Sequence, residues 1–274
     1  MITSTANPRI KNLILLGKKA KARKEQGLFI AEGRKMIEEA PKTWIHQLYI
    51  AESFHSDLRN RAFLHGRSYE ILSDSVCKAA SGTQTPQGVL AEIAIPSWNR
   101  EDILKKEGGC YLLLESIQDP GNLGTMLRAG EAAGVTAVIA NGTTVDIYNP
   151  KTIRATMGSI YRVPYLVAED FTGLLSDMKQ NGIKLYAAHL KGSIMYDAPD
   201  YTAASGFLIG NEGNGLTETT ASLADAAVKI PMEGSVESLN AAVTASILMY
   251  EANRQRRKEK SCFAYGQKSG KQTT

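Results

Sequence analysis

Cysteine is scarce. Cys77, Cys110 and Cys262 are the three in the chain, and their wide separation offers neither a disulfide framework nor metal-ligand spacing. No metal site is expected. Long apolar runs are missing as well, since none approaches the roughly 18 residues that a membrane-spanning helix needs. The stretch from Met1 to Pro8 lacks the apolar core of a signal peptide, so the expectation is a cytoplasmic protein with no membrane partner. No internal repeat is visible, and the one low-complexity-like stretch is the polar tail from about Lys258 to Thr274, expected to be disordered. What is left, 274 residues that are 43% hydrophobic and 22% charged, suffices for two modest domains or one large one.

The formal charge of +4 is unevenly spread. Residues 1–27 carry Arg9, Lys11, Lys18, Lys19, Lys21, Arg23 and Lys24 against Glu25 alone, a net +6. Residues 254–274 carry seven basic side chains against Glu259, again +6, which leaves the middle of the chain at −8. Basic ends on an acidic body point to a polyanion, above all a nucleic acid. The alternative is a solvated helix face plus a disordered tail.

Read in order, the chain alternates strands and helices. Asn7-Pro8 starts an amphipathic helix with Ile10, Leu13, Ile14 and Gly17 on one side. Short strands are expected at 28–31, 48–50, 69–72 and 85–93, with helices at about 34–40, 56–64 and 74–80, which makes a small α/β domain. A polar connector between 95 and 108 marks a boundary, giving domains at 1–100 and 108–258 and a basic tail at 259–274. The second domain reads as parallel: strands at 111–115, 137–140, 165–167, 184–188, 207–209 and 227–230 alternate with helices at 123–133, 152–161 and 171–181. Ligands of such sheets gather beyond the carboxyl ends of the strands.

Three loops should face that crevice. The first, Asp119-Pro-Gly-Asn-Leu-Gly-Thr-Met-Leu-Arg-Ala-Gly130, places Asn122 where a helix would be capped and Arg128 about one and two-thirds turns further on at roughly 3.6 residues per turn. Its glycines lack the G-x-G-x-x-G spacing, which removes a dinucleotide site. The second, Ile209-Gly-Asn-Glu-Gly-Asn-Gly-Leu216, has more glycine than a turn requires and carries Glu212 as a hydrogen-bond acceptor. The third runs from Ile230 to Asn240 into an almost wholly apolar helix in which Leu239, Ala242, Val243, Ser246, Ile247 and Tyr250 form a stripe. Ser235 and Ser238 are the candidate caps, and the apolar girth of the helix suggests burial against the sheet and against a partner subunit.

In order and spacing the three loops resemble the motifs of the SpoU/TrmH branch of the SPOUT class of RNA methyltransferases, across about residues 110–256. Tyr148 to Ser159 resembles a further family segment, with Ala155-Thr156 where Ala-Ser or Ser-Ser is more usual. Asn7-Pro8, Phe29-Ile-Ala-Glu-Gly33 and Thr85-Pro-Gln-Gly-Val89 resemble, less closely, the substrate-binding domain of the rRNA-directed members, whose fold is that of a small ribosomal protein. The resemblance implies a trefoil-knotted α/β domain with a parallel sheet, a homodimer, and S-adenosylmethionine as cofactor, held around Leu190, Gly210, Ile230, Met232 and Leu239. It implies Arg128 as the catalytic residue, with Asn122, Glu212, Ser238 and Asn240 shaping the site. Arg9, Lys11, Lys18, Lys19, Arg34 and Arg154 are then the expected RNA contacts. The implied reaction is methylation of a ribose 2′-hydroxyl in RNA, rRNA before tRNA. The competing reading from another class is a catalytically silent RNA-binding or ribosome-assembly protein on the same fold.

Overall fold

A computed structural model describes residues 1–190, 192 and 194–269, with 259–269 described as backbone alone. The chain begins with α1 (Pro8–Lys18), α2 (Ala20–Gln26), β1 (Leu28–Glu32), α3 (Arg34–Glu39), β2 (Ile45–Ala51), α4 (Glu52–Ser56), α5 (Arg61–Leu64), β3 (Glu70–Leu72), α6 (Asp74–Ala80) and β4 (Val89–Ala94). It continues with α7 (Arg100–Leu104), β5 (Cys110–Leu114), α8 (Pro120–Ala133), β6 (Ala137–Asn141), α9 (Pro150–Thr156), β7 (Tyr165–Ala168) and α10 (Phe171–Gln180). The last elements are β8 (Lys184–Ala188), β9 (Ile194–Met195), β10 (Ser205–Ile209), α11 (Glu218–Ser222), β11 (Ala226–Lys229) and α12 (Ala241–Ser269).

Two compact units result. The first combines Met1–Ser97 with Val145–Arg162, and the second combines Trp98–Thr144 with the chain from Val163 on. The first holds a four-stranded sheet of order β1-β4-β2-β3, antiparallel except for the parallel β2/β3 pair. Ile10, Leu13 and Leu16 of α1, fully buried at the i, i+3, i+6 spacing of one helix face, pack with Tyr49, Leu72 and Val76. The helix expected over 56–64 is broken: α4 ends at Ser56, and Asp57, accepting the backbone N–H of Arg59 at 3.0 Å, caps a separate 3-10 turn over Leu58–Asn60 that leads into α5.

The inclusion of Val145–Arg162 departs from a contiguous second domain at 108–258, and its cause is specific. Arg23 is 3% exposed and donates from Nε and Nη2 to Asp146 Oδ2 at 2.9 and 2.5 Å, while its Nη1 reaches the Leu16 carbonyl at 2.6 Å. The Phe29 ring lies 5.1 Å from Tyr148 and 6.4 Å from Tyr161. One buried guanidinium and three aromatic rings thus tie the segment to α2 and β1. Removing one member of a buried pair strands its partner, so Arg23→Met should cost about 3 kcal/mol of stability in the first unit. Urea unfolding measures this, and a change below about 1 kcal/mol would mean Asp146 is solvated well enough without its partner.

The second unit is a seven-stranded sheet of order β7-β6-β5-β10-β8-β11-β9 in which every pairing is parallel. The central strands β5 and β10 are buried at every residue, as expected where a sheet is covered on both faces. The core joins Tyr111, Leu113, Ile139 and Leu208 to Leu174, Leu175 and Met178 of α10. On α12, Ala242, Ala245, Leu248, Met249 and Ala252 are buried, whereas Val243 and Tyr250 are 46% and 48% exposed. This helix packs along α8 and continues as helical backbone to Ser269, where a disordered tail was expected; residues 270–274 lie outside the described residues. Among the described residues no helix is long and apolar enough to cross a membrane.

Candidate active site

The strands β8, β10 and β11 run parallel side by side, so their carboxyl ends release three loops into one place. A cavity of about 400 Å³ lies there. Leu190, Gly210, Ile230, Met232 and Leu239 all line it, together with Glu212 and Ser238. Asn122, Arg128 and Asn240 are not among the lining residues. His189, Lys229, Thr244 and Leu248, none of them a site residue expected from the sequence, also line the cavity. Their one legible signal was position, directly after β8, at the end of β11 and in the first turns of α12.

The turn after β10 is self-supporting. Asn211 and Gly215 exchange both backbone hydrogen bonds, at 3.0 and 2.9 Å, and the Asn211 side-chain oxygen takes the N–H groups of Gly213 and Asn214 at 2.9 and 3.0 Å. Gly215 closes the turn at φ +70°, a left-handed conformation suited to glycine. Beneath it, Glu115 at the end of β5 is buried and accepts from the Thr217 N–H and hydroxyl and from the Thr220 hydroxyl, which fixes the exit of the loop.

Glu212 joins this loop to the first motif. Its carboxylate accepts from the backbone N–H groups of Gln118 and Asp119, each at 3.1 Å, and from Asn122 Nδ2 at 2.9 Å. Asn122 Oδ1 in turn accepts from Asn240 Nδ2 at 2.9 Å. Three of the expected residues from three loops therefore form one hydrogen-bonded chain, although two of them lie outside the cavity lining. Two cap assignments need correction. Asp119, not Asn122, caps α8 by accepting the Asn122 N–H at 2.8 Å, so the helix starts at Pro120 and leaves the Asn122 side chain free to bridge. Asn240, rather than Ser235 or Ser238, caps α12, with Oδ1 accepting from Ala242 and Val243 at 2.9 and 3.3 Å.

Partial burial pushes the Glu212 carboxyl up, but the Asn122 amide and the backbone N–H groups around it outweigh that and hold it below its ordinary value of 4.5. A lowered carboxylate contributes stability that is complete above the ordinary value and is lost as the pH falls through the lowered one. The contacts among the three loops should therefore persist at pH 4.5 and loosen only below it. Hydrogen exchange of the Gln118 and Asp119 amides reads this directly. Glu212→Gln, which loses one acceptor oxygen, should speed their exchange about tenfold at neutral pH, the effect of about 1.4 kcal/mol. Equal protection in the variant and the native protein would show that the carboxylate does not hold the loops.

Arg128 stands apart, exposed on α8 with no hydrogen bond or ion pair to another described residue. Among the expected RNA contacts, Lys11, Lys18 and Lys19 are exposed on and beside α1. Arg9 is engaged with Glu70, Arg34 donates to Glu38 at 2.8 Å, and Arg154 sits 4.0 Å from Glu32. The first two of these pairs are exposed ones of the kind that contribute little and exchange readily for phosphate. Among the described residues no three His, Cys, Asp or Glu side chains gather as a metal site.

The profile of the SpoU rRNA Methylase family matches residues 109–250, the stretch that contains all three loops. The chain belongs to the SpoU rRNA methylase family. A second profile, the MRM3-like substrate binding domain, matches residues 7–91. Among the chain's SpoU relatives is the 23S rRNA (guanosine(2553)-2'-O)-methyltransferase RlmP of Bacillus subtilis, 32% identical over 253 residues, which are 91% of this chain and 97% of that one. The 23S rRNA (uridine(2479)-2'-O)-methyltransferase of Streptomyces viridochromogenes is 32% identical over 189 residues, 67% of this chain and 66% of that protein. The crystal structure of the SpoU methyltransferase AviRb from Streptomyces viridochromogenes in complex with the cofactor AdoMet matches with a TM-score of 0.83 and 27% identity, covering 92% of this chain and 98% of that one.

Proposed function

We propose that the protein is an S-adenosylmethionine-dependent methyltransferase acting on a ribose 2′-hydroxyl of RNA, with rRNA as the substrate class. The observation that carries this reading is the cavity beyond β8, β10 and β11, whose lining contains all five residues expected to hold the cofactor. Its character fits the group. Apolar side chains of Ile230, Met232, Leu239 and Leu248 offer a dry wall for an adenine ring, and the exposed backbone of the loops offers donors and acceptors for its edge. Glu212 and Ser238 supply the polar end. When bound, the cofactor supplies a methyl group already activated by its sulfonium.

The protein then has to align the acceptor oxygen and ease its deprotonation. A guanidinium stays protonated in proteins, so Arg128 acts by holding the adjacent phosphate and the 2′-oxygen, stabilising the charge that develops there while the phosphate or a water takes the proton. Asn122, Glu212 and Asn240 keep the loops in register rather than exchanging protons. The exposed Val243 and Tyr250 on α12, beside the α8 helix that carries Arg128, support a homodimer in which a partner subunit covers this face. The insertion of β10 between β5 and β8 is in keeping with a trefoil knot in this domain. A cytoplasmic setting follows from an rRNA substrate.

The test is transfer of labelled methyl from S-adenosylmethionine to total bacterial RNA. Label should appear in 23S or 16S rRNA at an alkali-resistant dinucleotide, since a methylated 2′-oxygen cannot attack the neighbouring phosphate. Label confined to tRNA would move the substrate class, and cofactor binding by calorimetry without transfer to any RNA would make the protein a silent binder. RNA affinity should fall about tenfold or more between 50 and 200 mM salt if Lys11, Lys18 and Lys19 meet phosphates.

A further inference from the structure

The first unit has a cavity of its own, about 70 Å³, between α1, β1, the turn after α6 and α9. Ile14, Ile30 and Pro150 give it apolar walls, and Lys18 stands at its edge. Two charged groups face each other inside. Glu32 is 8% exposed, and its Oε1 already accepts from the Ser81 and Thr83 hydroxyls at 2.7 and 2.8 Å. Its Oε2 lies 4.0 Å from Arg154 Nη1, too far for a hydrogen bond. Arg154 Nη1 is buried and donates to nothing among the described residues. A buried donor without an acceptor is rare enough in folded proteins to ask for a reason.

The chemistry of the pair selects its ligand. A phosphate would be repelled by the buried carboxylate, and a cation by the guanidinium. What matches is a neutral, flat edge with a donor beside an acceptor. Guanine, adenine and cytosine each carry an exocyclic amino group next to a ring nitrogen that accepts, whereas uracil has no amino group. The cavity holds about the volume of two waters, enough for such an edge but not for a whole base. The rest of the ring would lie against the apolar walls.

We propose that this cleft reads one unstacked, amino-bearing base of the bound RNA, with Glu32 Oε2 accepting from the amino group and Arg154 Nη1 donating to the adjacent ring nitrogen. The inference rests on the RNA methyltransferase reading and adds a base contact to the phosphate contacts of the basic face; single-stranded, splayed bases are the usual route to sequence-specific RNA recognition. Lys18 then holds the flanking phosphate. Base and phosphate contacts separate experimentally, because the first depends on sequence and the second on salt.

Fluorescence anisotropy with the full-length protein and short oligouridines carrying one central guanosine, adenosine, cytidine, inosine or uridine tests it at fixed salt. The three amino-bearing bases should bind roughly tenfold tighter than uridine, with inosine, which lacks the amino group, at the uridine level. Gly82→Leu fills the cleft from an exposed position where a Cβ would meet only Arg154 Nη1 at 3.5 Å and Pro150 Cβ at 3.9 Å. It should abolish the preference while leaving oligouridine affinity intact, and Arg154→Met should abolish it independently. Equal affinity for every central base, or a preference that survives both variants, overturns the base cleft while salt-dependent RNA binding and methyl transfer keep the broader reading. Absence of RNA binding together with absence of methyl transfer overturns both.

Discussion

Replacing Arg128 with alanine is expected to lower methyl transfer by about 10²–10³-fold, the usual effect of removing one group that stabilises developing charge. Affinity for S-adenosylmethionine should stay the same, because Arg128 is not among the residues lining the cavity. The loss should appear in kcat more than in KM, since the interaction strengthens as the 2′-oxygen gains charge. Arg128→Lys distinguishes two roles. A lysine can act as a base if desolvated but cannot reproduce the planar two-point grip on phosphate and oxygen, so activity near the native level in that variant would refute the positioning role.

The exposed position of Arg128 adds a second arm to this experiment. If a partner subunit carries it to the cavity, subunits with Arg128→Ala and subunits with Met232→Glu, each inactive alone, should complement when mixed and reassociated. Random pairing gives heterodimers in half the population, each with one intact combination, so about a quarter of native activity should return. No recovery, with mixed dimers demonstrated, would place Arg128 and the cavity of one protomer in the same site.

The parts of this site that were legible in the sequence are those dictated by local chemistry. A parallel sheet announces itself through continuous apolar strands such as Leu112-Leu113-Leu114, and its topology places ligands at the strand ends. The glycines after Ile209 mark a close backbone approach. What was not legible depends on partners far away in sequence. Asn122 looked like a cap because Asn favours that position, but Asp119 precedes a proline at the first helical position and makes the better cap, which turns Asn122 toward Glu212 and Asn240. Arg23 read as one more cation in a basic run, and nothing local shows that Asp146 lies waiting for it across more than a hundred residues. Likewise Glu32 and Arg154 meet only in the folded unit, so their cleft has no linear signature.

Gly210→Ala should weaken cofactor binding by roughly a hundredfold while the sheet survives. A Cβ at Gly210 would overlap the backbone of Gly215 and Leu216, and backbone cannot swing aside as the end of a side chain can. Accommodating it means opening the turn and losing the two reciprocal hydrogen bonds between Asn211 and Gly215, each contributing about 1 kcal/mol, on top of overpacking that costs about 1–3 kcal/mol. A loop penalty near 3 kcal/mol translates into roughly a hundredfold weaker S-adenosylmethionine binding. Gly213→Ala is the matched control in the same turn: its added Cβ would meet only Asn211 Oδ1, at 3.5 Å, and affinity should change by less than about threefold. Calorimetry on the two variants decides whether the shape of this turn, rather than its glycine content, makes the cavity. Similar losses in both would point to general loosening of the loop, and native affinity in Gly210→Ala would mean that the cofactor does not depend on this turn at all.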